Sequence, residues 1–176
     1  MILRFLLVVV TLAILVGAGR AISTVDVRSP PDPFRTGSFE FDLAPGWWCV
    51  GVGIEYVCTP PGSLRAAIVV IAIKNRNDQE NLHAYEEQFS RPQTPAGDAK
   101  EVGEPSGARY VKRRMLGSTE WVEALQTGSE VSAYDTYYLG TVTSRNSIWV
   151  TMSVHKYYEL NYISALSAMM STLNAR

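Results

Sequence analysis

Apolar and polar positions along this chain follow two periods, and the changes between them mark out its elements. Ser38 to Leu43 alternates, with Phe39, Phe41 and Leu43 on one side and Glu40 and Asp42 on the other. Period two over that length predicts a half-buried strand. Ala44-Pro45-Gly46 comes next as a turn, with Pro and then Gly suiting the central positions of type II geometry. Trp47 to Val50 and Ile54 to Cys58 are two further extended pieces, joined by Gly51-Val52-Gly53 and ended by Pro60-Pro61-Gly62. Ala66 to Ile73 is apolar on both parities, so it wants cover on both faces and is expected as a central strand.

The period then becomes helical. Within Asp78 to Ser90, Leu82, Tyr85 and Phe89 form a packing stripe; Asp78 is the expected N-cap, Glu80 suits the positive helix start, and Pro92 stops the chain. Pro92 to Gly107 holds three prolines and three glycines and is expected as a long loop, a hint of a functional or mobile segment. Arg109 to Leu116, Thr119 to Gln126, Val131 to Leu139 and Ser147 to Val154 read as four strands. The turn signals between them are Gly117-Ser118, Thr127-Gly128-Ser129 and Ser144-Arg145-Asn146. Glu159 to Leu173 is an amphipathic helix, with Tyr162, Ile163, Leu166, Met169, Met170 and Leu173 on one side and Ser164, Ser167 and Ser171 on the other. Strands, helix, four strands, helix predicts an α+β domain over residues 39–176, an antiparallel sheet of six or seven strands with two packed helices.

The N-terminus stands outside this plan. Met1 to Ala21 has Arg4 as a short positive region, then Phe5 to Val16, apolar except for Thr11, then small residues at Val16-Gly17-Ala18 and Gly19-Arg20-Ala21. This is the form of a cleaved signal peptide. The alternative is an uncleaved anchor over residues 2–19, which Arg20 beside a cleavage option keeps open. Residues 22–38 hold Pro30, Pro31 and Pro33 and are expected as an extended tether. Export predicts a periplasmic or secreted location, with membrane contact only through an uncleaved leader.

Export changes the reading of the cysteines. Cys49 and Cys58 are the only two of the 176 residues, and in an oxidising compartment they predict a disulfide. Their spacing is not the C-x-x-C of a redox site, and no cation lies between them to lower a thiol pKa. Charge narrows the partners. Without Arg4 and Arg20 the chain carries 14 basic and 17 acidic residues, a net of −3. That balance argues against a general nucleic-acid binder, which needs basic excess to neutralise phosphates. Lys112-Arg113-Arg114 is a lone basic cluster, expected to place Lys112 and Arg114 on one strand face and Arg113 on the other.

The sequence offers no catalytic set. There are two histidines. His83 lies on the solvent side of the first helix near Glu80 and Glu86, and His155 ends a strand. No nucleophile elbow, phosphate-cradling loop, EF-hand loop or zinc spacing occurs, so no cofactor or metal is expected. What stands out is aromatic. Trp47, Trp48, Tyr134, Tyr138 and Trp149, with His155, fall in or beside predicted strands and are the candidate binding surface; sheet packing beneath the helices is the competing account.

Three stretches together resemble the PsbP-like fold, shared by extrinsic photosystem subunits, a Ran-binding nuclear transport factor and many exported bacterial proteins. These are Phe39 to Trp47 (F-E-F-D-L-A-P-G-W), the long apolar strand with its following helix, and Ser147 to Ser153 (S-I-W-V-T-M-S) with Tyr162, Ile163, Leu166 and Met170. The cysteine pair and the doubled tryptophan depart from the pattern. The resemblance implies the α+β fold and a partner-binding role, since the family shares no catalytic residues. The expectation is an exported binding or assembly domain with a protein partner in the cell envelope. The alternative is a small hydrolase using His155 with a carboxylate such as Asp135.

Overall fold

A computed structural model describes residues 32–62, 66–92, 107–127 and 133–175. The leader, the first part of the tether and most of the loop after Pro92 lie outside these residues. The strands are β1 (Pro33–Arg35), β2 (Phe39–Asp42), β3 (Trp48–Val52), β4 (Glu55–Thr59), β5 (Ala67–Asn75), β6 (Gly107–Leu116), β7 (Thr119–Thr127), β8 (Tyr134–Val142), β9 (Asn146–His155) and β10 (Asn174–Ala175). The helices are α1 (Leu82–Ser90) and α2 (Glu159–Ser171), the latter entered through a 3₁₀ turn at Lys156–Tyr158.

Seven strands form one antiparallel sheet in the order β3-β4-β5-β9-β8-β7-β6, and β1, β2 and β10 form a small second sheet. The order of the large sheet reflects its connections. Gly53-Ile54 and Gly117-Ser118 close two-residue hairpins, and Gly53 and Gly117 take positive φ of 63° and 59°. At Gly117 a side chain would also collide with the Ser171 carbonyl at the end of α2.

One register row crosses the whole sheet: Cys49, Cys58, Val69, Met152, Tyr137, Leu125 and Tyr110. Its side chains point to the face covered by α2 and the small sheet, where the main core lies around Phe39, Phe41, Trp121, Leu139, Val150, Leu166 and Met170. The other face carries α1, whose Tyr85 and Phe89 pack with Val122 and Ala124. The sheet is therefore covered on both faces, but unequally.

Several boundaries differ from the sequence reading. Pro33–Arg35 lies in the expected tether yet pairs with β2, placing Phe34 opposite Phe41. A proline at the first residue of an edge strand is tolerated because its missing N–H has no ladder partner to lose. Helix α1 begins at Leu82 and is capped by Asn81, whose Oδ1 accepts from the Ala84 N–H at 2.9 Å; Asp78 sits in the turn before it. Gly51 and Val52 belong to β3, and the bend is Gly53-Ile54. Asn146 starts β9 instead of sitting in a turn, β8 runs three residues later than expected, and α2 stops at Ser171. Ser167 is buried beside Arg114 rather than solvent-facing. The middle strand is β9; β5 is third from one edge, with Ile68 still 42% exposed.

Candidate binding surface

The α1 face begins with a close approach. In the register row Val52, Glu55, Ala72, Trp149, Gly140, Val122 and Arg113, the fifth position has no side chain. A Cβ there would lie 2.7 Å from Tyr85 Cγ and 3.1 Å from Phe89 Cζ. Gly140 thus lets α1 settle onto the sheet, and Trp149 and Tyr138 wall in Phe89 at ring distances of 4.8 and 5.2 Å. Trp149 Nε1 donates to Thr151 Oγ1 at 2.7 Å, which fixes the indole. Arg113 Nε reaches Glu86 Oε1 at 2.8 Å and ties the outer side of α1 to β6. That hydrogen bond holds the Glu86 carboxyl below its ordinary value.

The entry to α1 is held as well. Glu80 pairs with Lys74 of β5, accepts from the Ser147 hydroxyl of β9, and accepts from the Asn77 N–H at 3.1 Å. Burial alone would raise its pKa, but these bonds outweigh it and hold the carboxyl below its usual range. Burial, with the Glu80 charge nearby, pushes the Tyr85 phenol up to about 12, so that hydroxyl stays neutral.

Helix α1 covers β6, β7 and β8 and reaches β9 through Trp149. It leaves β3, β4 and the near side of β5 open. Between α1 and this open half lies a groove of about 380 Å³, walled by Ile54, Ala72, Tyr85 and Trp149, with Glu55, Lys74, Glu80 and Gln88 among its polar lining. Trp48, Val50, Val52 and Ile68 on the open half are 49%, 42%, 56% and 42% exposed. An apolar groove with a few fixed polar groups beside an exposed apolar face is the usual form of a binding site.

The six aromatic candidates divide. Trp47 is buried on the α2 face, edge-on to the Tyr162 ring at 5.8 Å, and seals the core. Trp48, Tyr134, Tyr138, Trp149 and His155 share the α1 face by register. Of these, Trp149 lines the groove, Tyr138 packs behind it, and Trp48 stands on the open half. Tyr134 and His155 stack edge-on at 5.2 Å near the far end of the β8–β9 hairpin. That is six residues beyond Trp149 along β9, roughly 20 Å away at strand rise, so the six do not form one site. Ile54 and Ala72 were not singled out from sequence, and Glu80 was read only as suiting the helix start. The one signal for Ala72 was the second apolar parity of Ala66 to Ile73.

The other expected groups find internal partners. Cys49 and Cys58 are disulfide-bonded across β3 and β4. Lys112 and Arg114 meet Glu123 on one face at 3.5 and 3.1 Å, and Arg113 takes the other face. His83 lies 3.6 and 3.3 Å from Glu86 and Glu87 on the exposed side of α1.

His155 and Asp135 do not meet. His155 is opposite Tyr134, whereas Asp135 is opposite Val154, so the two side chains leave opposite faces of the sheet. His155 Nδ1 accepts from the Tyr157 N–H at 3.2 Å. Asp135 is buried beside Arg109 and Lys156, both at 3.6 Å. The neighbouring Glu159 carboxyl is pushed up by burial and by Asp135. Among the described residues no group of three metal-ligating side chains occurs, and no helix is long and apolar enough to cross a membrane.

An antiparallel sheet with one helix on each face and a small sheet closing the core defines the class of this domain. Solved structures share that arrangement. Cyanobacterial PsbP from Synechocystis superposes with a TM-score of 0.59 at 13% identity, over 86% of this chain and 96% of that one. LpqN of Mycobacterium tuberculosis, described as involved in cell envelope biogenesis, gives 0.51 at 7% identity, over 85% and 87%. A crystal structure from Bacteroides thetaiotaomicron gives 0.58 at 12% identity, over 84% of this chain and 49% of that one, so the chain spans about half its length. The chain therefore has the PsbP-like fold. No protein-family model and no curated protein sequence matches it.

Proposed function

We propose that this chain is an extracytoplasmic binding domain that takes an apolar segment of a protein partner in the cell envelope into the groove beside α1. The observation that carries the reading is the placement of that groove. It opens onto sheet that α1 leaves bare, and the ion pair Lys74–Glu80 lies in its lining. A groove walled by Trp149 and Tyr85 offers large, rigid apolar contacts at low entropic cost, as binding hot spots do. The disulfide supports the location, since such bonds persist outside the cytosol. The likeness to an envelope-biogenesis protein points the same way. The hydrolase alternative loses its geometric basis, because His155 and Asp135 face apart.

The test is co-purification of the tagged protein from its native envelope, with mass spectrometry of the proteins retained alongside it. Ala72→Arg fills the groove and should abolish recovery of the partner. Met115→Ala, on the far edge strand, should leave recovery unchanged. Equal recovery with Ala72→Arg would sink the groove as the site.

A further inference from the structure

The large sheet has two edges, and they are built differently. Strand β6 carries Arg109, Lys112, Arg113 and Arg114 and a register break between Ala108 and Tyr110. Charge and irregularity of that kind discourage pairing with another strand. Strand β3 carries no charge, and none occurs from Leu43 to Ile54. Its Trp48, Val50 and Val52 are all exposed on the α1 face.

The hairpin decides where the backbone groups of β3 point. Val52 and Glu55 flank the two-residue turn Gly53-Ile54, and such a turn closes on a hydrogen-bonded pair. Pairs alternate from there, so Val50–Val57 is hydrogen-bonded while Gly51–Tyr56 and Cys49–Cys58 are not. The Cα atoms of Cys49 and Cys58 lie 4.0 Å apart, which fits the closer, non-hydrogen-bonded kind, about 4.5 Å against about 5.5 Å. Cys49 and Gly51 therefore turn their N–H and C=O groups away from β4, toward the free edge.

We propose that β3 pairs antiparallel with β3 of a second copy of this chain, about a twofold axis at Val50. The outward groups fix this register. Cys49 exchanges two hydrogen bonds with Gly51 of the second copy, and Gly51 does the same with Cys49 of the second copy. Val50 then faces its own symmetry mate, and Trp48 faces Val52 of the second copy, twice. On the α1 face this joins six exposed apolar side chains into one cluster. On the other face β3 itself brings only the disulfide and Gly51 to the contact. The absence of charge is what makes the strand self-complementary: Glu55, the nearest charged residue, lies past the hairpin on β4, one strand in from the edge, so no like charges meet along the β3 contact. Twofold antiparallel pairing of this kind is the isologous contact that closes a dimer without propagating. It doubles the sheet and stands independently of the groove reading.

The test is sedimentation analysis of the protein as the expressing cell processes it, over a wide concentration range, with amide hydrogen exchange on the same samples. A monomer–dimer equilibrium is expected, with the Cys49 and Gly51 amides slowing as dimer forms and the Val50 amide protected throughout. Val50→Lys places two ammonium groups at the axis. Gly51→Pro removes an outward N–H that β4 does not use. Each should raise the dissociation constant at least about tenfold with unchanged circular dichroism. A monomer up to the solubility limit overturns the proposal, as does a dimer that ignores both variants. Protection of Cys49 and Gly51 that appears only with added envelope extract would assign the edge to a different protein's strand and overturn it too.

Discussion

Gly140 and Tyr85 are in contact in a way that only a residue without a side chain permits: a Cβ at position 140 would lie 2.7 Å from Tyr85 Cγ. The whole docking of α1 depends on that approach, because Phe89 meets the same spot from the next turn. Gly140→Ala should therefore lift the helix and cost about 1–3 kcal/mol, the usual range for overpacking a tight core. Chemical denaturation measures the loss, and tryptophan emission, compared with that of Trp149→Phe, reports the displacement at Trp149 beneath the helix. An unchanged denaturation midpoint would show that the helix relaxes without strain.

Removing the staple should affect stability and leave the groove intact. Cys49→Ser with Cys58→Ser opens a short loop, and the chain-entropy account puts the loss at about 2–4 kcal/mol. The disulfide lies on the α2 face of β3 and β4, behind the open apolar surface. Denaturation of the double variant should shift, while partner recovery below its new transition temperature should match the parent. Lost recovery with stability unchanged would move the cysteines into the binding surface.

Acid should loosen the start of α1. The Glu80 and Glu86 carboxyls are both held below their ordinary values in the folded state. A depressed acid contributes stability above its unfolded pKa and loses it as pH falls through the folded pKa, because the unfolded chain binds the proton more readily. Tryptophan emission, with Trp149 beside α1, and near-ultraviolet dichroism should therefore change as pH falls from about 5 to about 3. Glu80→Gln should shrink that change, leaving the part due to Glu86. A transition equal in both proteins would exclude Glu80 as a contributor.

Much of the fold was legible in the sequence because its signals are local. Alternation in Ser38 to Leu43 buries Phe39 and Phe41, and the stripe of Leu82, Tyr85 and Phe89 faces the sheet as expected. Gly117-Ser118 is the turn it promised. The misplaced boundaries are local failures of the same kind. Asn81 and Asp78 are both good caps, and the Asn77 side chain, which accepts from the Gln79 and Glu80 N–H groups, holds a turn that delays the helix.

The candidate site was less legible. Period-two patterning says which residues of one strand share a face; it does not say how two strands register. That is why Asp135 and His155 looked compatible and are not, and why Trp47 and Trp48, adjacent in sequence, end in core and solvent. The sequence by itself determined the α+β order of elements, the pairing of its only two cysteines, and the uncharged stretch from Leu43 to Ile54. The tertiary structure decided which half of the sheet α1 covers, since that rests on Gly140, distant in sequence from Tyr85. It also decided that β3 lies at an edge with Cys49 and Gly51 facing outward. Both depend on hydrogen-bond register and close packing between distant segments, which local patterning does not encode.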